Sequence, residues 1–252
     1  MIIIRSPQRI SIGGGGTDLK SYYSRFGGEF ISAAIDKYIY VSIIKPFKNG
    51  IYLKYSDTEK VKKIEDISHP IFREVLKKYE SSNNQIEITT LADIPSGTGL
   101  GSSGSFTTAL IKGLHSYRYL DISKRDLAEA ACEIEIDTLK EPIGKQDQYI
   151  SSFGGIKQFE IKKNGDVAVQ NLDVSTETLT NLEENLLLFF TGYTRKASSI
   201  LEDQDKKTKK EDNFMLEKMH SVKEMCSNIR SALEKGDVER FGDLLNMHWQ
   251  EK

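Results

Sequence analysis

The sequence predicts an α+β fold of two domains, with mixed or antiparallel sheet packed by helices. Three observations carry this. Strand-like runs crowd the stretch before Leu91, helical periodicity dominates after Ser105, and the strands precede the helices instead of alternating with them as βαβ units do.

Taken in order, Ile2 to Arg5 and Arg9 to Ile12 read as short β runs divided by Pro7. Phe30 to Ile35 and Tyr38 to Ile44 are rich in β-branched and aromatic residues, with Asp36-Lys37 as a hairpin turn. Ile51 to Tyr55 is a further strand, and Pro70 to Tyr79 has Ile71, Val75, Leu76 and Tyr79 at helical spacing. Gln85 to Leu91 returns to period two. Asp93 to Gly104 is a loop, and Ser105 to Tyr119 an apolar helix. Ser123 with Asp126 three residues on caps a helix over Lys124 to Asp137. A third helix ends at Gly154-Gly155, and strands follow at Ile156 to Ile161 and Asp166 to Leu172, joined at Asn164-Gly165 by a type I′ turn. Leu186 to Thr191 reads as a buried strand. Glu202 to Asp212 mixes charges densely and reads as a solvated, mobile surface. Phe214, Met219, Val222, Cys226, Ile229 and Leu233 mark one face of a long helix that Gly236 stops, and Asp237 caps a last helix to Trp249. A boundary near Leu172 gives domains of residues 1–172 and 173–252, the second mostly helical and incomplete.

Composition narrows the function. The chain has 252 residues, 38% hydrophobic and 29% charged, which suits a globular protein with a substantial core. Its formal net charge of −2 offers no global attraction for nucleic acid or an anionic membrane, so any anion site is local. Met1 to Arg5 is too short for a signal peptide, and no apolar run approaches the ~20 residues of a spanning helix. Cys132 and Cys226 fall in helical patterns and read as buried thiols of a reducing compartment. The expectation is a cytoplasmic protein, with a homodimer left open.

Two glycine-rich segments carry the chemistry. Pro95-Ser96-Gly97-Thr98-Gly99-Leu100-Gly101-Ser102-Ser103-Gly104-Ser105 follows a strand and opens a helix. Glycines let backbone N–H groups approach a ligand, and a helix N-terminus adds unpaired donors and a positive dipole end, a setting for phosphate. The hydroxyls of Ser102, Ser103 and Ser105 can donate to phosphate or ligate a hard cation. A Walker loop needs Gly-Lys-Ser/Thr, and this stretch has no lysine. The dinucleotide fingerprint fits Gly99-Gly101-Gly104, with Asp121 downstream, but Ser116 to Leu120 is too short for the second strand that motif requires. The other segment is Gly13-Gly14-Gly15-Gly16-Thr17-Asp18, where bare backbone meets a hydroxyl and a carboxylate suited to sugar hydroxyls; Asp18 equally suits capping a helix over Leu19 to Arg25.

Together these segments resemble the GHMP kinase superfamily. Its first motif, an Arg-x-Pro-x-Arg strand leading to Gly-Gly-x-Thr-Asp, is matched from Arg5 to Asp18. Its second, Pro-x-x-x-Gly-Leu-Gly-Ser-Ser, is matched from Pro95 to Ser103. Glu141-Pro142-Ile143-Gly144-Lys145-Gln146-Asp147-Gln148-Tyr149 looks like the stretch with the family's catalytic aspartate. Within the superfamily, the wording is most similar to the D-glycero-D-manno-heptose 7-phosphate kinases, which phosphorylate the anomeric C1 hydroxyl of the heptose 7-phosphate. The resemblance implies ATP and Mg²⁺ as cofactors and a small-molecule sugar phosphate as partner. It implies Asp147 as base and Arg9 as the cation beside the transferring group. Pro95 and Gly97 to Ser105 would wrap the ATP phosphates, Gly15, Gly16, Thr17 and Asp18 would bind the sugar, and Ser103 and Glu135 (Glu133 as fallback) would hold the metal. Arg195, with Lys196, is the candidate for the sugar's own phosphate. The family's third glycine-rich motif is not seen after Asp237, and Gly104 stands where many relatives have Ala, a change expected to loosen the helix start. A dinucleotide oxidoreductase and a nucleotide-binding sensor without turnover are the competing readings.

Overall fold

The computed structural model describes residues 1–80, 85–194, 197–210 and 212–251. Its contacts divide the chain into two compact units interleaved in sequence, not cut once near Leu172. One comprises Met1–Arg9, Ala34–Glu141 and Asp147–Phe153, the other Ile10–Ala33, Pro142–Gln146 and Gly154–Lys252. The interleaving has a local cause. Strands β1 (Ile2–Gly13) and β2 (Gly28–Ile44) are long and unbroken, so each contributes residues to both units. Pro7 does not divide β1, because a proline is tolerated wherever its missing N–H is not needed, and its carbonyl is used instead. Asp36-Lys37 makes no hairpin. Neither residue adopts a positive φ, and the two halves of β2 pair with different strands.

In the first unit, β3 (Gly50–Lys54) pairs antiparallel with β4 (Thr58–Val61) and parallel with β5 (Gln85–Ala92), and β5 pairs antiparallel with residues 39–44 of β2. Ile39, Val41, Ile43, Ile51, Leu53, Ile86 and Ile88 alternate on one face. Onto that face pack α2 (Pro70–Tyr79) through Phe72, Val75 and Leu76, and α3 (Ser102–Tyr117) through Ala109, Leu110, Ile111 and Leu114. Leu127 and Ala131 of α4 (Lys124–Cys132) complete the core. Pro70 at the first helical position and Lys77-Lys78 in the last turn explain why α2 forms where its periodicity predicts. The Ser123 cap is real: its Oγ accepts from the Asp126 N–H at 3.1 Å. Instead of running to Asp137, α4 gives way at Glu133 to a π-helical turn, Glu133–Thr138. Helix α5 (Gln146–Phe153) follows.

In the second unit, residues 28–33 of β2 pair antiparallel with β6 (Ile156–Ile161), which pairs antiparallel with β7 (Val167–Asn171). The β6–β7 turn is not type I′. Only Gly165 has positive φ, and the Gly165 N–H bonds to the Lys162 carbonyl, a type I turn finished by a left-handed glycine. Helix α1 (Lys20–Phe26) has Leu19 at its N-cap position, with Asp18 one residue before it. Helices α6 (Thr176–Asn185), α8 (Asn213–Lys235) and α9 (Val238–Glu251) meet Ile12, Ile31 and Ala33 through Leu182, Met225, Cys226, Ile229, Leu233, Phe241 and Leu244. Gly236 at φ 73° ends α8, and Phe214 faces out instead of in. Cys132 and Cys226 are both buried, and neither is in a disulfide.

One expectation fails here. Leu186 to Thr191 forms no strand, and Leu187 to Phe190 are exposed, because no strand among the described residues pairs with them. The charged stretch after Glu202 is largely solvent-exposed, as expected, and belongs to α7 (Ala197–Lys209), braced by ion pairs Glu202–Lys206, Asp203–Lys207 and Asp205–Lys209 at i,i+4 spacing.

Candidate active site

The glycine loop takes its path from three left-handed residues, Gly97 (φ 81°), Gly99 (φ 82°) and Gly101 (φ 76°), a conformation other residues reach only at a cost. Thr98 closes it from within, donating to the Pro95 carbonyl at 3.2 Å. Helix α3 begins three residues earlier than its apolar pattern suggests, so Ser102, Ser103 and Gly104 form its first turn and their N–H groups lie among its unpaired donors.

Arg9 on β1 is fixed at two points against this loop and at a third against Asp147. Its backbone N–H donates to the Leu100 carbonyl at 3.0 Å, Nη1 donates to the Gly99 carbonyl at 2.6 Å, and Nε donates to Asp147 Oδ1 at 2.6 Å. Nη2 lies 2.5 Å from the same Oδ1, with the Arg9 and Asp147 side chains 13% and 22% exposed. Neither contact uses Oδ2. The pair is held tightly yet reachable.

Gly101 and Gly104 let these parts approach. A Cβ on Gly101 would lie 3.1 Å from Arg9 Cγ and 3.2 Å from Asp147 Cγ. One on Gly104 would lie 2.6 Å from Asp147 Cβ and 3.0 Å from the Gln148 backbone nitrogen. Gly104 therefore permits the close junction of α3 with α5.

The serines divide. Ser102 Oγ accepts from the buried Gln8 amide at 2.8 Å. Ser105 is wholly buried, donating to the Pro7 carbonyl at 2.7 Å and sharing a 2.9 Å bond with Ser151, so its oxygen ties α3 to β1 and α5. Ser103 is exposed, and its hydroxyl hydrogen-bonds Glu135.

Glu135 sits in the π-helical turn with 1% of its surface exposed. Burial pushes its carboxyl up to about 7, hydrogen bonds from Gln148 and Ser103 oppose the rise, and the nearby Asp147 charge adds to it. Gln148 Nε2 donates to Glu135 Oε2 at 2.8 Å. A hard cation takes oxygen ligands and keeps most of its shell for water and phosphate, so one carboxylate with one hydroxyl, Glu135 with Ser103, is a donor set that fits Mg²⁺. No cluster of three or more His, Cys, Asp or Glu residues occurs among the described residues, which does not suit an all-protein metal cage.

In the second unit, the Gly14 to Asp18 turn binds itself. Thr17 Oγ1 donates to the Gly14 and Glu29 carbonyls (2.8 and 2.7 Å) and accepts from the Glu29 N–H (3.0 Å). Asp18 accepts from the Gly16 N–H at Oδ1 and from the Gln146 N–H at Oδ2, both at 3.0 Å. Gly14 and Gly16 adopt φ 73° and 101°, and Gly15 is buried between them. Arg195 and Lys196 lie outside the described residues.

Gln8 and Gln148 were not picked out by motif reading. Both are fully buried polar residues beside motif positions, and their bonds to Ser102 and Glu135 are set by the fold, with no signal in the sequence.

Loop amides, a fixed guanidinium and a carboxylate in one place are what moving a phosphoryl group to an alcohol requires, whereas a dinucleotide enzyme has no use for Arg9 or Asp147; by class the molecule is a small-molecule phosphotransferase. A family model for the GHMP kinases N terminal domain matches residues 66–155. The D-glycero-alpha-D-manno-heptose 7-phosphate kinase of Campylobacter jejuni is 30% identical over 98% of this chain and 76% of its own. The chain belongs to the GHMP kinase family, whose members use ATP as phosphate donor. Among solved structures, a D-glycero-D-manno-heptose 1-phosphate kinase from Bacteriodes thetaiotaomicron superposes with a TM-score of 0.83 at 25% identity, over 100% of this chain and 79% of that one. A mevalonate kinase, at 17% identity and a TM-score of 0.69 over 100% of this chain and 79% of that one, shares the fold. No helix among the described residues is long and apolar enough to cross a membrane.

Proposed function

We propose that this phosphotransferase is a cytoplasmic sugar kinase that moves the γ-phosphoryl group of ATP to the anomeric C1 hydroxyl of D-glycero-D-manno-heptose 7-phosphate, giving the 1,7-bisphosphate. The observation that carries the reading is the Arg9–Asp147 pair fixed against the glycine loop. The amides of Gly97 to Ser103 receive the phosphates. Asp147 accepts the hydroxyl proton, and it does so late, because a carboxylate is a weak base toward an alcohol. Arg9 keeps that carboxylate oriented and places positive charge where negative charge spreads in a loose transition state. Glu135 and Ser103 would hold Mg²⁺, which when bound neutralises phosphate charge. Gly15, Gly16, Thr17 and Asp18 shape the sugar side, and Arg195 takes the sugar's phosphate.

The heptose assignment is supported by the named heptose kinases among the relatives. An L-fucokinase/L-fucose-1-P guanylyltransferase of Bacteroides fragilis (25% identical over 98% of this chain, which covers 30% of it) keeps a second sugar in view. ADP release measured with heptose 7-phosphate, heptose 1-phosphate, free heptose, galactose, fucose and mevalonate decides. The 7-phosphate should give the highest kcat/KM, and a higher value with any other acceptor overturns the assignment. Arg195→Glu should raise the KM for the phosphorylated sugar alone.

A further inference from the structure

We propose that Gln148 is a positioning residue for the divalent cation: its side-chain amide fixes the Glu135 carboxylate in the orientation in which that carboxylate and Ser103 meet the metal. The inference rests on the reading of Glu135 and Ser103 as the metal-holding pair. Gln148 is the residue after Asp147 on α5, so one short helix supplies both the carboxylate paired with Arg9 and the amide bonded to Glu135. Its side chain is wholly buried, and only its Nε2 is used; Oε1 has no partner.

Packing alone does not account for this. A buried carbonyl oxygen left unpaired costs about 1–3 kcal/mol, and an apolar side chain of the same length would avoid that cost. What the amide provides is a directed bond to Oε2 of a carboxylate in a π-helical turn, an irregularity that turns side chains off the regular helical stripe. With no acidic cluster among the described residues, the protein's grip on a cation rests on very few oxygens, and the orientation of each counts for more. Outer-shell partners of this kind typically change metal affinity by about 10–100-fold.

Mn²⁺ binding in the presence of a non-hydrolysable ATP analogue, followed by the free-ion paramagnetic resonance signal, tests this. Gln148→Met keeps length and bulk but cannot donate. It should weaken Mn²⁺ binding by about 10–100-fold while leaving metal-free analogue binding unchanged. In a Glu135→Gln background the same change should have no further effect, an outcome a general packing defect would not give. A second measurement needs no variant: the Gln148 side-chain amide resonances of the unmodified protein should shift when Mg²⁺ joins the analogue. Mn²⁺ affinity in Gln148→Met within twofold of the parent, or unshifted resonances, overturns the positioning role alone. A parent protein that binds no Mn²⁺ with the analogue overturns both the role and the metal reading beneath it.

Discussion

Gly104 has an ordinary helical backbone, so its need for glycine is one of space. An added Cβ meets the Cβ and carbonyl carbon of Asp147 at 2.6 and 3.0 Å, where neither neighbour is a flexible side-chain end. Gly104→Ala must move α5 or the start of α3. We expect a loss of about 1–3 kcal/mol in urea unfolding and a fall in kcat of about 100-fold from misplacing Asp147. Unchanged kcat would show that the contact does not set the position of the carboxylate. Asp147→Asn should lower kcat by about 10²–10⁴-fold with little change in the KM for ATP, since the carboxylate acts on the acceptor side; near-normal kcat removes it from the mechanism. Glu135 gives a pH signature. Its carboxyl rises from the ordinary 4.5 to about 7 in the folded chain, so between those values the folded state holds a proton that the unfolded state has released. Stability of the metal-free protein should therefore fall as pH rises from 4.5 to 7 and level off above, by on the order of 3 kcal/mol. Urea midpoints in chelator from pH 5 to 8 should show this slope in the parent and a flatter one in Glu135→Gln. Equal slopes would mean the burial of Glu135 costs nothing.

At the scale of elements, the sequence was most legible where the local signal is also the deciding one. Pro70, the apolar spacing of α2, the Ser123 cap and the period-two strands β5 and β6 all act through neighbouring residues, and each element formed close to where those residues place it. Pattern reading failed where a distant partner decides. Whether Asp36-Lys37 turns or continues depends on which strands flank β2, and the π-helical turn at Glu133 is invisible to a 3.6-residue period. The candidate site divided the same way. Glycine spacing and the motif residues Arg9 and Asp147 were readable, while the buried amides of Gln8 and Gln148 reveal their partners, Ser102 and Glu135, only once folded. The cap offers a check on the local part. Ser123→Ala removes the acceptor for the Asp126 N–H and the donor to the Asp126 carboxylate, so α4 should lose about 1 kcal/mol. Kinetic constants should stay unchanged, because Ser123 lies ten residues before the π-helical turn begins at Glu133 and bonds none of the candidate site residues.

Across the whole molecule, apolar burial is supplied by two cores, one in each compact unit, and neither includes the run Leu186 to Phe190. Such a run reads as a buried strand because five consecutive apolar residues normally are one, yet burial comes from partners that the run itself does not encode. Here Leu187 and Phe189 are 78% and 77% exposed, with Tyr193 close behind in sequence at 82%. Contiguous apolar surface of this kind drives association, and with a formal net charge of −2 the chain has little electrostatic repulsion to oppose it. We expect this chain to self-associate with rising concentration. The effect should be strengthened by sulfate and little changed by sodium chloride, as apolar contact requires. Leu187→Ser with Phe189→Ser should remain monomeric over the same range, with a urea midpoint shifted by no more than about 0.5 kcal/mol because neither side chain is in a core. Sedimentation velocity over a hundredfold concentration range reads both proteins. If their sedimentation coefficients coincide throughout, the exposed run is not what brings copies together. If the double variant instead unfolds readily, those side chains are packed in solution and the run has found a partner after all.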